Sequence, residues 1–379
     1  MHADDGTQVF APPQTESADT STSAQVARED TRSPLVPAES ERSQEVLEGR
    51  GRFERMGGKG GDWEEGEVGY TPRYKRGFVF SDSDTGRSRA AGCTEFELPV
   101  PRPPAKEFAN VEAIKTIEEH PQLFAIMTPI KINVLEKHLE THPNQIFVQS
   151  VMTALREGFW PWANTHHDEE FPITWDNGRM NPRSEMEQKF ICRYRDEEVA
   201  AGRFSEPFGP DILPGMYSTP VHVVPKPHSE EFRMVSNMSA GTYAPNHMIL
   251  HSDIAGSRLD SLHTLFAAIL RYRRRSPANA EKTLVVFKSD VSKAYRLCPM
   301  HPLWQLKQIV TTGYLTSEQK AAGETEVLTR TVDRNNNFGG HGSGRVWYSV
   351  NGLVTWIAIN VEDIEDLGCY MDDDFSFDD

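Results

Sequence analysis

Apolar residues are distributed differently in three stretches of the chain. Through residue 105 they show no period, and Ser, Thr, Gly, Pro, Glu and Arg dominate. Such a stretch cannot bury enough apolar surface to offset its ordering entropy, so residues 1–105 are expected to be disordered, with a Gly-Arg patch from Gly49 to Gly61. Over residues 106–205 the spacing predicts helices. Ile132, Leu135 and Leu139 share one face, and Phe147, Val148, Val151, Met152 and Leu155 form a second stripe that stops at Gly158. The following Phe159, Trp160 and Trp162 are read as buried anchors rather than base-stacking groups. From Glu206 onward short β-type runs appear, Pro220 to Val224, Phe232 to Val235 and Leu284 to Phe287. Between them Leu259, Leu262, Leu265, Phe266 and Ile269 recur at helical spacing and lead into Arg271, Arg273, Arg274 and Arg275. The polar segment from Ser317 to Asn337 predicts a surface excursion, mobile from Gln319 to Thr325. Strands mixed with helices and long irregular connections predict an α+β fold over residues 206–379, without internal repeats.

Composition narrows the setting. The 379 residues carry a formal charge of -16, a pI near 5.3 and a mean hydropathy of -0.55. No stretch approaches the roughly 20 apolar residues of a membrane span, and the first residues lack the basic and apolar parts of a secretory signal. An intracellular protein, cytoplasmic or nuclear and without a membrane partner, is expected. Cys93, Cys192, Cys298 and Cys369 stand singly, with no metal-ligand spacing. The acidic balance opposes indiscriminate binding to nucleic acid, which the arginine run offsets only locally.

Two acidic positions carry the chemistry. The run Leu284-Val-Val-Phe-Lys-Ser-Asp290 reads as a buried strand that delivers Asp290 at its end, although a helix N-cap explains an Asp there equally well. In Cys369-Tyr-Met-Asp-Asp-Asp-Phe375 three adjacent acids lie between apolar flanks, where an acidic turn is the plain alternative. Crowded carboxylates that lose hydration repel one another, and a hard divalent cation is their natural partner. Nucleotidyl transfer with two metal ions requires acids from two converging strands, which Asp290 with Asp372 and Asp373 would supply.

With these residues in place the chain resembles the reverse transcriptase family. Asp290-Val-Ser-Lys-Ala-Tyr295 is similar to its first palm carboxylate motif, and Tyr370-Met-Asp-Asp373 to its best-known tetrapeptide. Phe338-Gly-Gly-His-Gly-Ser-Gly-Arg-Val-Trp347, lying between them, resembles the loop that touches template and incoming nucleotide. Upstream, the run from Ser218 to Val235 resembles the fingers hairpin. The stretch from His142-Pro-Asn144 to Leu155-Arg-Glu-Gly-Phe159, then Glu198 to Phe204 and Leu213 to Met216, resembles the region before the polymerase in tyrosine-recombinase (DIRS-like) retroelements.

The resemblance implies the fingers and partial palm of a right-hand polymerase over residues 206–379, behind a helical pre-polymerase region at 106–205. It implies Asp290, Asp372 and Asp373 as catalytic residues and ligands of Mg²⁺ or Mn²⁺, Lys226 and Arg233 as holders of the triphosphate, Tyr295 as the sugar-excluding residue and Gly339 as a nucleotide contact. The implied partners are deoxynucleoside triphosphates and an RNA or DNA template with its primer. Family members continue past the position of Asp379 into the rest of the palm and a thumb. A carboxylate hairpin lacking most of its return strand, and little primer extension by the chain alone, are therefore expected. A non-catalytic remnant that binds nucleic acid or a protein is the alternative, and an unrelated acidic scaffold a third reading. The third is separated from the others by whether the Asp290 and Asp372 carboxylates meet.

Overall fold

A computed structural model describes residues 78–80 (backbone only), 87–165, 171–177, 184–226, 231–312, 318, 321–324 and 329–378. The expectations for the Gly-Arg patch, for part of the 319–325 stretch and for disorder before residue 78 lie outside the described residues, whereas 321–324 are described and exposed. The described residues belong to one compact unit that begins at Gly69.

Mixed helices and small sheets make the fold α+β. In chain order the strands are β1 (Phe78–Phe80), β2 (Ser218–Thr219), β3 (Val221–Pro225), β4 (Phe232–Ser236), β5 (Ser257–Leu259), β6 (Val285–Asp290), β7 (Ile309–Thr311), β8 (Arg330–Val332), β9 (Gly368–Tyr370) and β10 (Asp373–Asp378). They form a parallel pair β1-β5, a hairpin β3-β4, and two three-stranded sheets ordered β2-β7-β8 and β6-β10-β9. The longer helices are α1 (Gln145–Glu157), α2 (Glu185–Ala200), α3 (Leu262–Arg275) and α4 (Ser343–Asn360).

The expected stripe on α1 is the buried face of that helix, with Val151, Met152 and Leu155 wholly inaccessible, and the helix ends before Gly158. Phe159 and Trp160 are buried, and Trp160 meets Trp304 edge-on at 5.7 Å. This core also contains Trp347, Val350 and Leu353 of α4, so the helices of residues 106–205 and the later sheets share one interior.

Three expectations need correction. Residues 88–105 do not continue a disordered tail. Asp260 accepts hydrogen bonds from Ser88 Oγ (2.6 Å), the Arg89 N–H (2.8 Å) and the Cys369 N–H (2.9 Å), which ties this stretch to β9. Ala90 and Thr94 then pack so closely on Gly352 of α4 that a Cβ there would press on them. Small residues pack without leaving an apolar period, which is why the pattern missed them.

The segment before Asn337 is not a surface excursion throughout. Arg330, Thr331, Asp333, Asn335, Asn336 and Asn337 are all buried. Apart from Thr331 Oγ1 and Asn335 Oδ1, their buried side-chain polar atoms are bound internally, and the backbone is tied in as well: Arg296 donates to Asp333, and Gln308 Nε2 to the Asp333 and Asn335 carbonyls. Burial of polar groups is tolerated where each finds a partner, a condition no hydropathy pattern expresses.

The strand leading to Asp290 is exposed rather than buried, with Val285 at 64%, Val286 at 54% and Phe287 at 46%. It pairs only with β10 and forms the outer strand of its sheet, and among the described residues nothing covers its far side.

Candidate metal centre

The first carboxylate is placed by β6, whose last residue is Asp290, so it is a strand terminus and not a helix cap. The other two are placed by the hairpin β9-β10. Tyr370 faces Asp373 across a two-residue turn, Met371-Asp372. Met371 has φ 63°, a left-handed conformation that a bulky side chain rarely adopts. Helix α4 holds it there. Trp347 Nε1 and, one turn later, Asn351 Nδ2 both donate to the Met371 carbonyl, at 2.8 and 3.1 Å.

The return strand runs along the whole of β6, against the expectation of a curtailed one. β10 pairs antiparallel with all six residues of β6, from Asp373 opposite Asp290 to Asp378 opposite Val285. The Val291 N–H also donates to the Asp372 carbonyl at 3.0 Å, closing the junction. As a result Asp290, Asp372 and Asp373 present carboxylate oxygens within 4.8 Å of one another. Asp374, the next acid, turns inward toward Cys369 and Asn351, as strand alternation requires.

Three carboxylates this close repel one another. Partial burial pushes the Asp372 carboxyl up, and the charges of Asp290 and Asp373 add to the rise. Among the described residues one ammonium pairs with them: Lys288 Nζ lies 2.8 Å from Asp373 Oδ2. Three acids against one lysine leave a net negative charge of oxygen ligands, the donor set that Mg²⁺ and Mn²⁺ prefer. The residues fit a divalent ion, with Asp290, Asp372 and Asp373 as its holders.

Asp290 and Asp372 border a cleft of about 1190 Å³, whose lining also includes Lys226, Arg233, Lys293 and Phe338. Lys226 and Arg233 come from the hairpin β3-β4, where Val224 faces Arg233 and the Lys226 N–H donates to the Glu231 carbonyl at 2.8 Å. The Lys226 ammonium pairs with Glu231 at 2.5 Å, while the Arg233 guanidinium lies over the Phe338 ring, 5.5 Å from its centre.

Tyr295 and Gly339 stand behind this lining. Tyr295 stacks on Phe338 with ring centres 5.0 Å apart and planes 22° from parallel, and burial pushes its hydroxyl pKa well up. Gly339 approaches the Ser236 carbonyl so closely that no Cβ fits, so its missing side chain is used by the chain's own β4. Its carbonyl accepts from Asn246 Nδ2 at 2.9 Å.

Sequence reasoning passed over Lys288, Lys293 and Phe338 as site residues. For Lys288 a signal existed, since residues two apart on a strand share a face and it precedes Asp290 by two. The arginine run is in part neutralised by its own chain: Arg275 pairs with Glu365 at 2.7 Å and Arg271 with Asp366.

No helix among the described residues is long and apolar enough to cross a membrane. No family model matches this sequence, and no curated protein matches it.

Proposed function

We propose that this chain carries the fingers and palm elements of a retroelement reverse transcriptase, an RNA-directed DNA polymerase. The observation that supports the reading is the meeting of Asp290 with Asp372 and Asp373, from strands far apart in sequence, beside a cleft that also holds Lys226 and Arg233. In such a reaction the primer 3′ oxygen attacks the α-phosphorus of a deoxynucleoside triphosphate. A bond from phosphorus to that oxygen forms, the bond to the bridging oxygen breaks, and pyrophosphate leaves.

Each residue group has a distinct task. Asp290, Asp372 and Asp373 hold divalent metal, which when bound lowers the barrier by activating the 3′ hydroxyl and stabilising the leaving pyrophosphate. Lys226 and Arg233 neutralise the triphosphate from the hairpin. Tyr295, standing behind the lining, limits the sugar pocket through Phe338, the ring stacked on it. The resemblance to the family's ordered motifs supports the same assignment, and template and primer are its partners.

The test is calorimetric titration of Mn²⁺ into the wild-type chain and an Asp290→Asn, Asp372→Asn double variant. Wild type binds, and the double variant loses at least roughly tenfold in affinity, the weakening expected when ligands are removed. Equal binding by both overturns the reading.

A further inference from the structure

Most cations around the cleft are matched to acids of their own. Lys226 pairs with Glu231 at 2.5 Å, Lys189 with Glu185 at 2.7 Å and Lys288 with Asp373 at 2.8 Å. Behind the cleft wall Arg203 and Arg296 serve Glu198 and Asp333. That set has two positive and two negative charges and is neutral without a further cation.

Lys293 is a further cation. Its ammonium lies 3.4 Å from Glu198 Oε1, the longest of the contacts that carboxylate makes. Glu198 already accepts from Arg203 at 2.7 and 2.6 Å and from Arg296 at 2.9 and 3.2 Å. The Lys293 side chain is half exposed and lines the cleft with Asp290 and Asp372. Its backbone is left-handed, φ 55° and ψ 32°, where glycine is relaxed and lysine is not. Strain held at a cleft residue goes with a task for its side chain.

We infer that Lys293 is an anion contact of the cleft, whose ammonium exchanges Glu198 for the phosphates of a nucleoside triphosphate bound beside Asp290 and Asp372. The inference rests on the polymerase reading and adds a cation that the motif comparison did not supply. The exchange leaves little behind it, because Glu198 keeps four hydrogen bonds from two guanidinium groups. It also adds to Lys226 and Arg233, which without a ligand are engaged by Glu231 and by the Phe338 ring.

The experiment compares wild type, Lys293→Ala, Lys293→Arg and Lys293→Gly for binding of three probes in the presence of Mn²⁺: a deoxynucleoside triphosphate, inorganic tripolyphosphate and the unphosphorylated deoxynucleoside. The Ala variant is expected to weaken both phosphate probes roughly tenfold, the loss of one charge-assisted hydrogen bond, and to leave the deoxynucleoside unchanged. Arg restores binding. Gly, which suits the left-handed backbone, keeps the fold while lacking the ammonium, and weakens the phosphates as Ala does. Triphosphate binding by Ala and Gly equal to wild type overturns the inference alone, because nucleotide and Mn²⁺ still bind. Lys293-dependent tripolyphosphate binding without any nucleotide or Mn²⁺ binding overturns the polymerase reading and keeps the anion contact. A wild type that binds none of the probes overturns both.

Discussion

Glu198, Arg203, Arg296 and Asp333 form one charged cluster, and Asp290, six residues before Arg296, forms another with Asp372 and Asp373. In the first, the Glu198 carboxylate and the Arg296 guanidinium are 0% and 3% exposed and every charge meets its opposite. Burial alone raises a carboxyl, yet the Arg203 and Arg296 guanidinium groups outweigh it and hold Glu198 at about 2. For Asp333 burial prevails over Arg296 and pushes the carboxyl up to about 6. In the second cluster like charges converge at an open cleft with one lysine among them. Charges that serve architecture are closed on one another, whereas charges kept for a ligand are left uncompensated.

The contrast is broken most severely from the buried side. Arg296→Met leaves Asp333 without its cation and Glu198 with only one arginine, and should destabilise the chain by ~3–5 kcal/mol in denaturant unfolding. A loss below about 1 kcal/mol would mean that water reaches the cluster.

Next in size is Glu198→Gln, which should cost about 3 kcal/mol near neutral pH, the linkage value of a carboxyl lowered from 4.5 to about 2. The folded value lies below the unfolded one, so the stabilisation is complete above pH 4.5 and is lost as pH falls toward about 2. Asp333 acts in the opposite sense between 3.8 and about 6, and the Glu198 charge itself contributes to that rise. A wild-type advantage that is constant from neutral to acid pH would contradict the ion-pair account.

The smallest effect has the opposite sign. Asp290→Asn removes one of two like charges that face each other across β6 and β10 and keeps the Lys288–Asp373 pair, so the metal-free protein should gain about 0.2–1 kcal/mol. Adding Mn²⁺ should reverse the order, because only the intact triad gains from the ion. A destabilised metal-free variant would show that the triad is structural, like its buried neighbour.

Much of the local structure was legible. The stripe from Phe147 to Leu155, the stop at Gly158, the hairpin strands around Lys226 and Arg233 and the strand ending at Asp290 all follow from spacings within one element. Strand alternation also explains why Asp373 shares a face with Asp290 while Asp374 turns inward. The placing of Lys293 beside Glu198 was not legible, because one comes from the turn after β6 and the other from α2. Nor was the burial of Asn335 to Asn337, which depends on hydrogen-bond partners as distant as Met127.

The sequence by itself determined the strongly periodic elements and the α+β class, since helix and strand periods are short-range and written in consecutive residues. Tertiary structure alone decided that Asp290 meets Asp372 and Asp373, that Trp347 and Asn351 hold the strained Met371 turn, that β6 is an outer strand, and which charges are closed and which are left open. Those outcomes depend on the register of β6 against β10 and on helices packed from distant segments. Pairing energies of that kind belong to two surfaces at once, and a pattern along one segment does not contain its partner.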